Sequence, residues 1–255
     1  MPPLPRIVTA ETLDTLDPTD PAAKRSRRDL QRVHRFMGTL AIVCRAFAPL
    51  FRSGPSRAPL RILELGAGDA TLLLRAAQRF GPASRGVELT ALDRQDLVTR
   101  KTIEAYAILD WRVQVCKMDV SDWIREGASG RQSGPTERWD MIFTTLFLHH
   151  FAAPELAVLL EAIGSSTDRF FACEPRRGWP ALVGSHLIGV LGTNAVTRND
   201  AVLSVHAGFR DRELQALWPV QGEQWQVAEF SAGLFSHCFS AQRVGKEACE
   251  QPSTR

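Results

Sequence analysis

Two groups of side chains in this sequence are spaced to do chemistry. The first is a set of carboxylates and glycines: Glu64, Gly66 and Gly68 within RILELGAGDAT, then Asp93 and Asp119, each at the end of an apolar run. The second is the adjacent pair His149 and His150 in TLFLHHF. Carboxylates gathered beside bare backbone suit a ligand with hydroxyls, an amine or a positive charge, since they accept hydrogen bonds and favour a nearby cation. Imidazoles titrate near neutrality and suit a general base.

These groups act together only if secondary structure brings them to one place. Ile62, Leu63 and Leu65 read as a strand buried on both faces, as central parallel strands are. Gly66 and Gly68 turn the chain without side chains, and Leu72 to Phe80 reads as an apolar helix whose N-terminus points back at the turn. Strand, turn and helix make the first unit of a doubly wound α/β domain, with a nucleotide-like ligand at the strand's carboxyl end. Arg85 to Asp93 alternates as a second strand, ending in an acid about 25 residues beyond the glycines. Asp93 there either accepts from two ribose hydroxyls or opens an exposed turn. Arg112 to Met118 is a third strand ending at Asp119. That acid either accepts from an adenine amino group, with the Val120 N–H serving the ring nitrogen, or caps a helix beginning at Ser121.

Trp139 to Phe151 supplies a fourth strand, with Thr144, Thr145 and Leu146 at its carboxyl end and the two histidines just beyond. Asp168 to Cys173 is a fifth strand delivering Glu174 to the same edge. Helices are expected at Asp96–Leu109, Ala153–Ile163 and Phe209–Leu217. Gln224–Phe230 and Leu234–Ala241 form a closing antiparallel hairpin. The predicted fold is therefore α/β: a Rossmann-like, seven-stranded, mostly parallel sheet with an antiparallel C-terminal hairpin and an N-terminal helical appendage.

The ligand is narrowed by details of the first turn. Thr71 stands where a dinucleotide fingerprint needs its third glycine. Glu64 would repel a pyrophosphate, whereas a ligand carrying an ammonium and a sulfonium would tolerate it. The ordered set of E-x-G-x-G, Asp93, Asp119 and the fourth strand resembles class I S-adenosylmethionine (SAM) dependent methyltransferases across Pro59 to Arg243. That resemblance implies SAM as cofactor, leaving S-adenosylhomocysteine (SAH). It implies Glu64, Gly66, Ala67, Gly68, Asp93, Arg94, Asp119, Val120, Thr145 and Leu146 as its binding residues. Ala70 in place of a further glycine and the extra acid Asp69 are departures compatible with SAM. More narrowly, FLHHF, RNDAVLSVHAGF and GLFSHCFSAQR are similar to small-molecule methyltransferases encoded beside bacterial type III polyketide synthases. This implies phenolic or quinone-like lipids, such as alkylresorcinols, as acceptors.

The fourth strand speaks to the acceptor. Amino-group methyltransferases acting on nucleic acid commonly carry [DNS]-P-P-[YFW] here, and TLFLHHF has none of it, favouring an oxygen or carbon acceptor on a hydrophobic small molecule. A phenol, with an ordinary pKa near about 10, benefits from a base. His150 is the first candidate and His149 the second, each weighed against a structural role bonded to backbone; His186, His206 and Glu174 stand further out. O- and C-methylation need similar residues. A nicotinamide-dependent oxidoreductase and a non-catalytic SAM-fold partner of a biosynthetic complex are the readings from other classes.

At 255 residues with 44% hydrophobic content the chain fits one domain with an appendage. A net charge of +3 without a basic block gives no argument for nucleic acid. Five scattered cysteines show no zinc spacing, so no metal is expected, and they suit reduced thiols in a cytoplasmic protein. The start lacks the pattern of a signal peptide, and the longest apolar stretch, Ala181 to Gly192, is too short for a bilayer.

Residues 1–21 are expected to be a loose, extended lead. Residues 22–58 are expected to be a helical appendage packed on the domain or a lid over the substrate mouth, with Leu30, Val33, Phe36, Met37, Leu40, Val43, Cys44 and Phe47 on one face and Lys24, Arg25, Arg27, Arg28, Arg32 and Arg35 around the other. Its basic side is either solvated or in contact with an anionic membrane surface. Residues 59–244 are expected to form the catalytic domain, interrupted by a cap at about 176–205 whose Trp179, Leu182, Val183, Leu187, Ile188, Val190 and Leu191 either line a lipophilic cavity or belong to a helix packed on the sheet, and 245–255 a tail. Oligomeric state is not legible.

Overall fold

Strand β1, Leu60–Leu65, is buried almost throughout because its two faces feed two separate cores: Leu60 and Ile62 one, Leu63 and Leu65 the other. It is the centre of a computed structural model that describes residues 2–52, 58–81, 86–128, 138–219 and 225–244. Most of the expected linker, the Gly/Ser/Arg loop at 127–136 and the tail from Gly245 lie outside those residues.

Beside β1 run β2 (Val87–Asp93), β3 (Trp111–Lys117), β4 (Met141–Thr145) and β5 (Arg169–Pro175), all parallel. Strands β6 (Trp225–Ala232) and β7 (Ser236–Arg243) close the sheet antiparallel, β7 against β5. The order is β3-β2-β1-β4-β5-β7-β6, the seven-stranded mixed sheet expected. Its direction of winding reverses between β1 and β4, which opens a crevice at the carboxyl ends of those strands. Register aligns the ends: Leu65 lies beside Leu92 and Thr144, and Asp93 beside Lys117. Glu64, Asp93, Asp119 and Thr145 are thereby delivered to one edge.

Three helices cover one face: α3 (Thr39–Arg52), α4 (Thr71–Phe80) and α5 (Arg100–Ala107), contributing Val43, Phe47, Leu73, Ala77 and Tyr106 to its core. The other face carries α6 (Val120–Ala128), α7 (Ala153–Ser166) and the short α10 (Glu213–Leu217), with Trp123, Leu156, Leu160 and Leu214 inward. The cap is helical: α8 (Trp179–Leu187), the 3-10 turn η2 (Ile188–Leu191) and α9 (Ala195–Ala207). A second 3-10 turn, η1 (Leu148–His150), carries the two histidines.

The N-terminal region departs from expectation in two ways. The single helix expected over Lys24–Phe51 is two, α2 (Pro21–Met37) and α3, because Gly38 at φ +69° ends α2 in the left-handed conformation that glycine adopts without penalty. Helix α3 packs on the sheet, while α2 lies over the crevice. The lead is extended but tied down. Arg6 donates to the carbonyls of Phe151 and Ala207 (2.9 Å each), and its guanidinium lies 4.5 Å from the Phe209 ring centroid. Thr12 and Leu13, in the one-turn helix α1 (Thr12–Thr15), donate their backbone N–H groups to Asp200. Among the described residues no helix is long and apolar enough to cross a membrane.

Candidate active site

The turn after β1 is built around groups that side chains would obstruct. Gly66 sits at φ +69°, and a Cβ there would come within 2.4 Å of the Phe147 ring. The N–H groups of Gly66 and Ala67 donate to the carbonyl of Leu92 at 2.9 and 3.1 Å. Gly68 N–H donates to Asp93 Oδ2 at 2.9 Å, and Gln95 N–H to Asp93 Oδ1 at 2.8 Å. Asp93 thus clamps the first turn to the second strand while lining the cavity beside it.

Glu64 is the electrostatic anomaly of the site. It is 3% exposed, and its Oε2 has no hydrogen-bond partner. Burial, reinforced by the charges of Asp69 and Asp93, holds its carboxyl well above the usual carboxylate range. An orphaned buried acid is costly unless something positive or donating completes it. Asp119 is the helix cap that one of its two readings expects. Its Oδ1 accepts the Ser121 N–H at 2.8 Å, capping α6, and the residue also borders the cavity; hydrogen bonds from Ser121 hold its pKa below the ordinary value.

Every residue named from the sequence as a cofactor ligand, with both histidines of the adjacent pair, lines a single cavity of about 560 Å³. Glu64, Gly66, Ala67 and Gly68 form its floor, Asp93, Asp119 and Val120 one side, and Thr145, Leu146, His149 and His150 the other. Leu146 is held at φ +50°, a strained backbone for a side-chain-bearing residue, by its N–H to the Cys173 carbonyl (3.0 Å). Arg94 borders the same space, but its guanidinium is turned to the Asp14 carbonyl at 2.7 Å and carboxylate at 3.1 Å.

The structure separates the two histidines. His149 is 2% exposed, with Nδ1 2.9 Å from Glu174 Oε2 and Nε2 3.2 Å from Glu11 Oε1. Burial alone would lower its pKa, but hydrogen bonds to the two carboxylates outweigh it and raise the value to about 9. His149 is therefore an imidazolium at neutral pH, with no nitrogen free to take a proton. His150 stacks on it, ring centroids 4.2 Å apart, and its Nδ1 lies 3.3 Å from Asp14 Oδ2. Burial and then the charge of His149 push the His150 pKa down, so its ring is neutral where His149 is charged. Of the outlying candidates, Glu174 is spent on structure: besides His149 it accepts the N–H groups of Phe147, Leu148 and His149. His186 is exposed on the cap, and neither it nor His206 lines the cavity.

Several residues of the site have no role assigned from the sequence. Gln31 and His34 project from α2 over the cavity beside Arg27 and Leu30 of the expected lid, Gln31 donating to Asp69 Oδ2 at 2.9 Å. Burial holds the His34 pKa down to about 4, so its ring is neutral, and its Nδ1 has no partner. Their helical spacing was visible in the sequence, but a polar stripe beside basic residues reads equally as a solvated face. Glu11 and Asp14 gave no local signal, since only the path of the lead brings them to the histidines. Ser204 of α9 donates to Glu11 from the far side. The cap residues also differ from expectation: of the seven apolar candidates only Ile188 lines the narrow cleft between α2 and α8, while Trp179, Val183, Leu187 and Val190 point outward.

No family model matches the chain, and no curated protein matches it in sequence. Solved structures share its fold. The plantazolicin methyltransferase BpumL in complex with SAH superposes with a TM-score of 0.57 over 89% of this chain and 92% of that one, at 14% identity. The S-adenosylmethionine-dependent methyltransferase SibL, in its apo form, gives 0.58 over 93% of this chain and 63% of that one, at 16% identity. Magnesium protoporphyrin IX methyltransferase (ChlM) of Synechocystis PCC 6803 with bound SAH gives 0.50 over 91% of each chain, at 13% identity. The shared feature is the fold of the whole domain.

Proposed function

We propose that this chain is a SAM-dependent methyltransferase acting on a hydrophobic small molecule, with a phenolic oxygen as acceptor and His150 as the base. The observation that carries the reading is Glu64: a buried, unpartnered carboxylate in a crevice whose wall is completed by acids at two further strand ends. The residues fit the cofactor. Glu64 supplies the counter-charge that a cationic donor needs, Asp93 and Asp119 accept from hydroxyl and amino groups, and the bare turn at Gly66 and Gly68 admits close approach. When bound, SAM supplies an electrophilic methyl on a sulfonium whose charge is lost on transfer. The fold neighbours include methyltransferases in complex with SAH, which supports the same cofactor here.

The chain's own contribution is position, proton handling and exclusion of water. Helix α2 and the lead cover the cavity, which limits competing hydrolysis and strengthens electrostatic interactions inside. His150, neutral and facing the cavity, takes the acceptor's hydroxyl proton on its ring nitrogen. His149, fixed between Glu11 and Glu174, orients the turn that carries His150 and keeps the neighbouring ring neutral through its charge. A ring carbon ortho to a phenoxide would call on the same base, so C-methylation of a quinol is the companion reaction. The acceptor class extends to the alkylresorcinol- and quinol-like products of type III polyketide chemistry through the sequence resemblance, in a cytoplasmic protein without a nucleic-acid substrate. Calorimetric titration with SAH and with NADH tests the cofactor; SAH binds and NADH does not. A mass-spectrometric screen of alkylresorcinols and quinols for a methyl increment tests the acceptor. Absence of SAH binding would end this reading.

A further inference from the structure

The outer surface of α2 and the cap carries two features that the cavity chemistry does not use. One is a stripe of exposed bases on α2: Lys24, Arg25, Arg28, Arg32 and Arg35. The other is a set of outward apolar side chains: Phe36 on α2 at 59% exposure, Leu187 on α8 at 60% and Val190 in η2 at 87%, with Val183 between them. Scattered exposed apolar residues are ordinary, but four flanking one cleft call for a cause.

The two features share one rim. Helices α2 and α8 turn their inner stripes, Leu30, Val33 and Met37 facing Gly184 and Ile188, into the same apolar cleft. Their outer stripes therefore border its mouth. Arg25 reaches the Gly192 carbonyl at 3.5 Å, which sets the basic stripe beside Val190, and Phe36 packs on Phe235 with ring centroids 5.5 Å apart at the opposite end. Opposing charge sits at one end of the stripe, where the exposed Asp17 lies within electrostatic reach of Lys24 and Arg27. Residues 179–192 contain no Asp or Glu, and the only acid within α2, Asp29, is fully buried and already engaged by Arg32 and the Asn194 N–H.

We propose that this face docks on an anionic lipid surface, the arginines against headgroups and Phe36, Val183, Leu187 and Val190 inserted at the headgroup–acyl boundary. Bases and exposed apolar side chains interleaved on one surface are what interfacial binding to anionic lipid needs: charge attraction brings the face to the headgroups and the apolar side chains insert beneath them. The cleft between α2 and α8 opens at this rim and shares Leu13, Leu30 and Leu146 with the main cavity. Resting on the methyltransferase reading, this gives a lipophilic acceptor a path from the membrane to the site without crossing water.

Co-sedimentation of the full chain with vesicles of phosphatidylcholine alone, and of phosphatidylcholine with phosphatidylglycerol, tests the proposal, with SAH affinity and thermal melting followed on the same samples. The expected result is binding to the anionic vesicles only, weakening as salt rises. Arg28→Glu with Arg35→Glu should lower that binding roughly 10-fold or more, while Arg28→Lys with Arg35→Lys retains it. Leu187→Ser with Val190→Ser, which leaves the net charge unaltered, should reduce it at unchanged melting temperature, separating insertion from simple charge attraction. Equal sedimentation of the wild type and both surface variants would overturn the proposal, as would failure to bind anionic vesicles or a preference for duplex DNA over them. A wild type that binds SAH but not anionic vesicles defeats the membrane inference alone; SAH refused by the wild type defeats the methyltransferase reading and leaves the vesicle result to stand.

Discussion

Glu174 Oε2 lies 2.9 Å from Nδ1 of His149, and the same buried carboxylate accepts the backbone N–H groups of the turn from Phe147 to His149. One acid thus fixes both the ring and the peptide units on which His150 stands. The opposite nitrogen of His149 is held by Glu11, 138 residues away in the chain. Division of labour between two adjacent histidines follows from this: the first is locked and charged, the second neutral and facing the cavity.

His150→Ala should slow methyl transfer roughly 10-fold or more with SAH affinity unchanged, as for loss of a general base. Because burial and the charge of His149 keep the His150 pKa below its ordinary 6.5, the acid limb of the rate profile should lie below that value. His149→Gln removes the neighbouring charge, so the limb should move to higher pH. A profile indifferent to both substitutions would remove His150 from the chemistry.

The His149 pKa is raised from 6.5 to about 9, so its contribution to stability is complete below about 6.5 and is lost as pH climbs through about 9. Melting followed across that window should show the decline. Glu11→Gln, which removes one of the two carboxylates, should flatten it and expose the lead to protease. Unchanged cleavage within the first twenty residues would show that the lead is held by its other contacts.

Glu64 works in the opposite sense. Its folded pKa is raised above 4.5, so the native state binds the extra proton, and stability falls as pH rises above 4.5. Glu64→Gln should therefore melt higher than the wild type at neutral pH in the absence of ligand, and bind SAM at least 10-fold more weakly, about 1.4 kcal/mol. Differential scanning fluorimetry with and without SAM reads both effects. A variant that is less stable and binds normally would place the carboxylate in structure alone.

Gly66→Ala combines a left-handed backbone with a Cβ that collides with the near edge of the Phe147 ring. The conformation alone costs about 1–2 kcal/mol. Displacement of Phe147 would also disturb the turn held by Glu174. Lower melting temperature and lost SAH binding are expected together, whereas Gly38→Ala, also at positive φ but with open space around it, should cost stability and spare SAH affinity.

The strand pattern was legible because β1, β2, β3 and β5 each run into an acid or a glycine turn, while β4 shows by its apolar run alone. Glu64, Asp93, Asp119 and Thr145 could be placed at one edge from that pattern, and register does bring them there. Helix α2 was harder to read. Apolar periodicity ran on past Gly38, and one glycine in the left-handed conformation divided the helix and turned α2 over the crevice. The outward face of the cap is not legible for a related reason: in α8, hydrophobic residues occur all round the helix, so periodicity does not say which side faces inward.

What the sequence determined by itself was the order of elements and the chemistry at the strand ends, because these depend on neighbours within a few residues. The tertiary structure decided which histidine is charged, which acid is orphaned and where the lead runs. Those outcomes depend on burial and on partners such as Glu11 and His149, far apart along the chain, and a pKa belongs to an environment that exists only once the chain has folded.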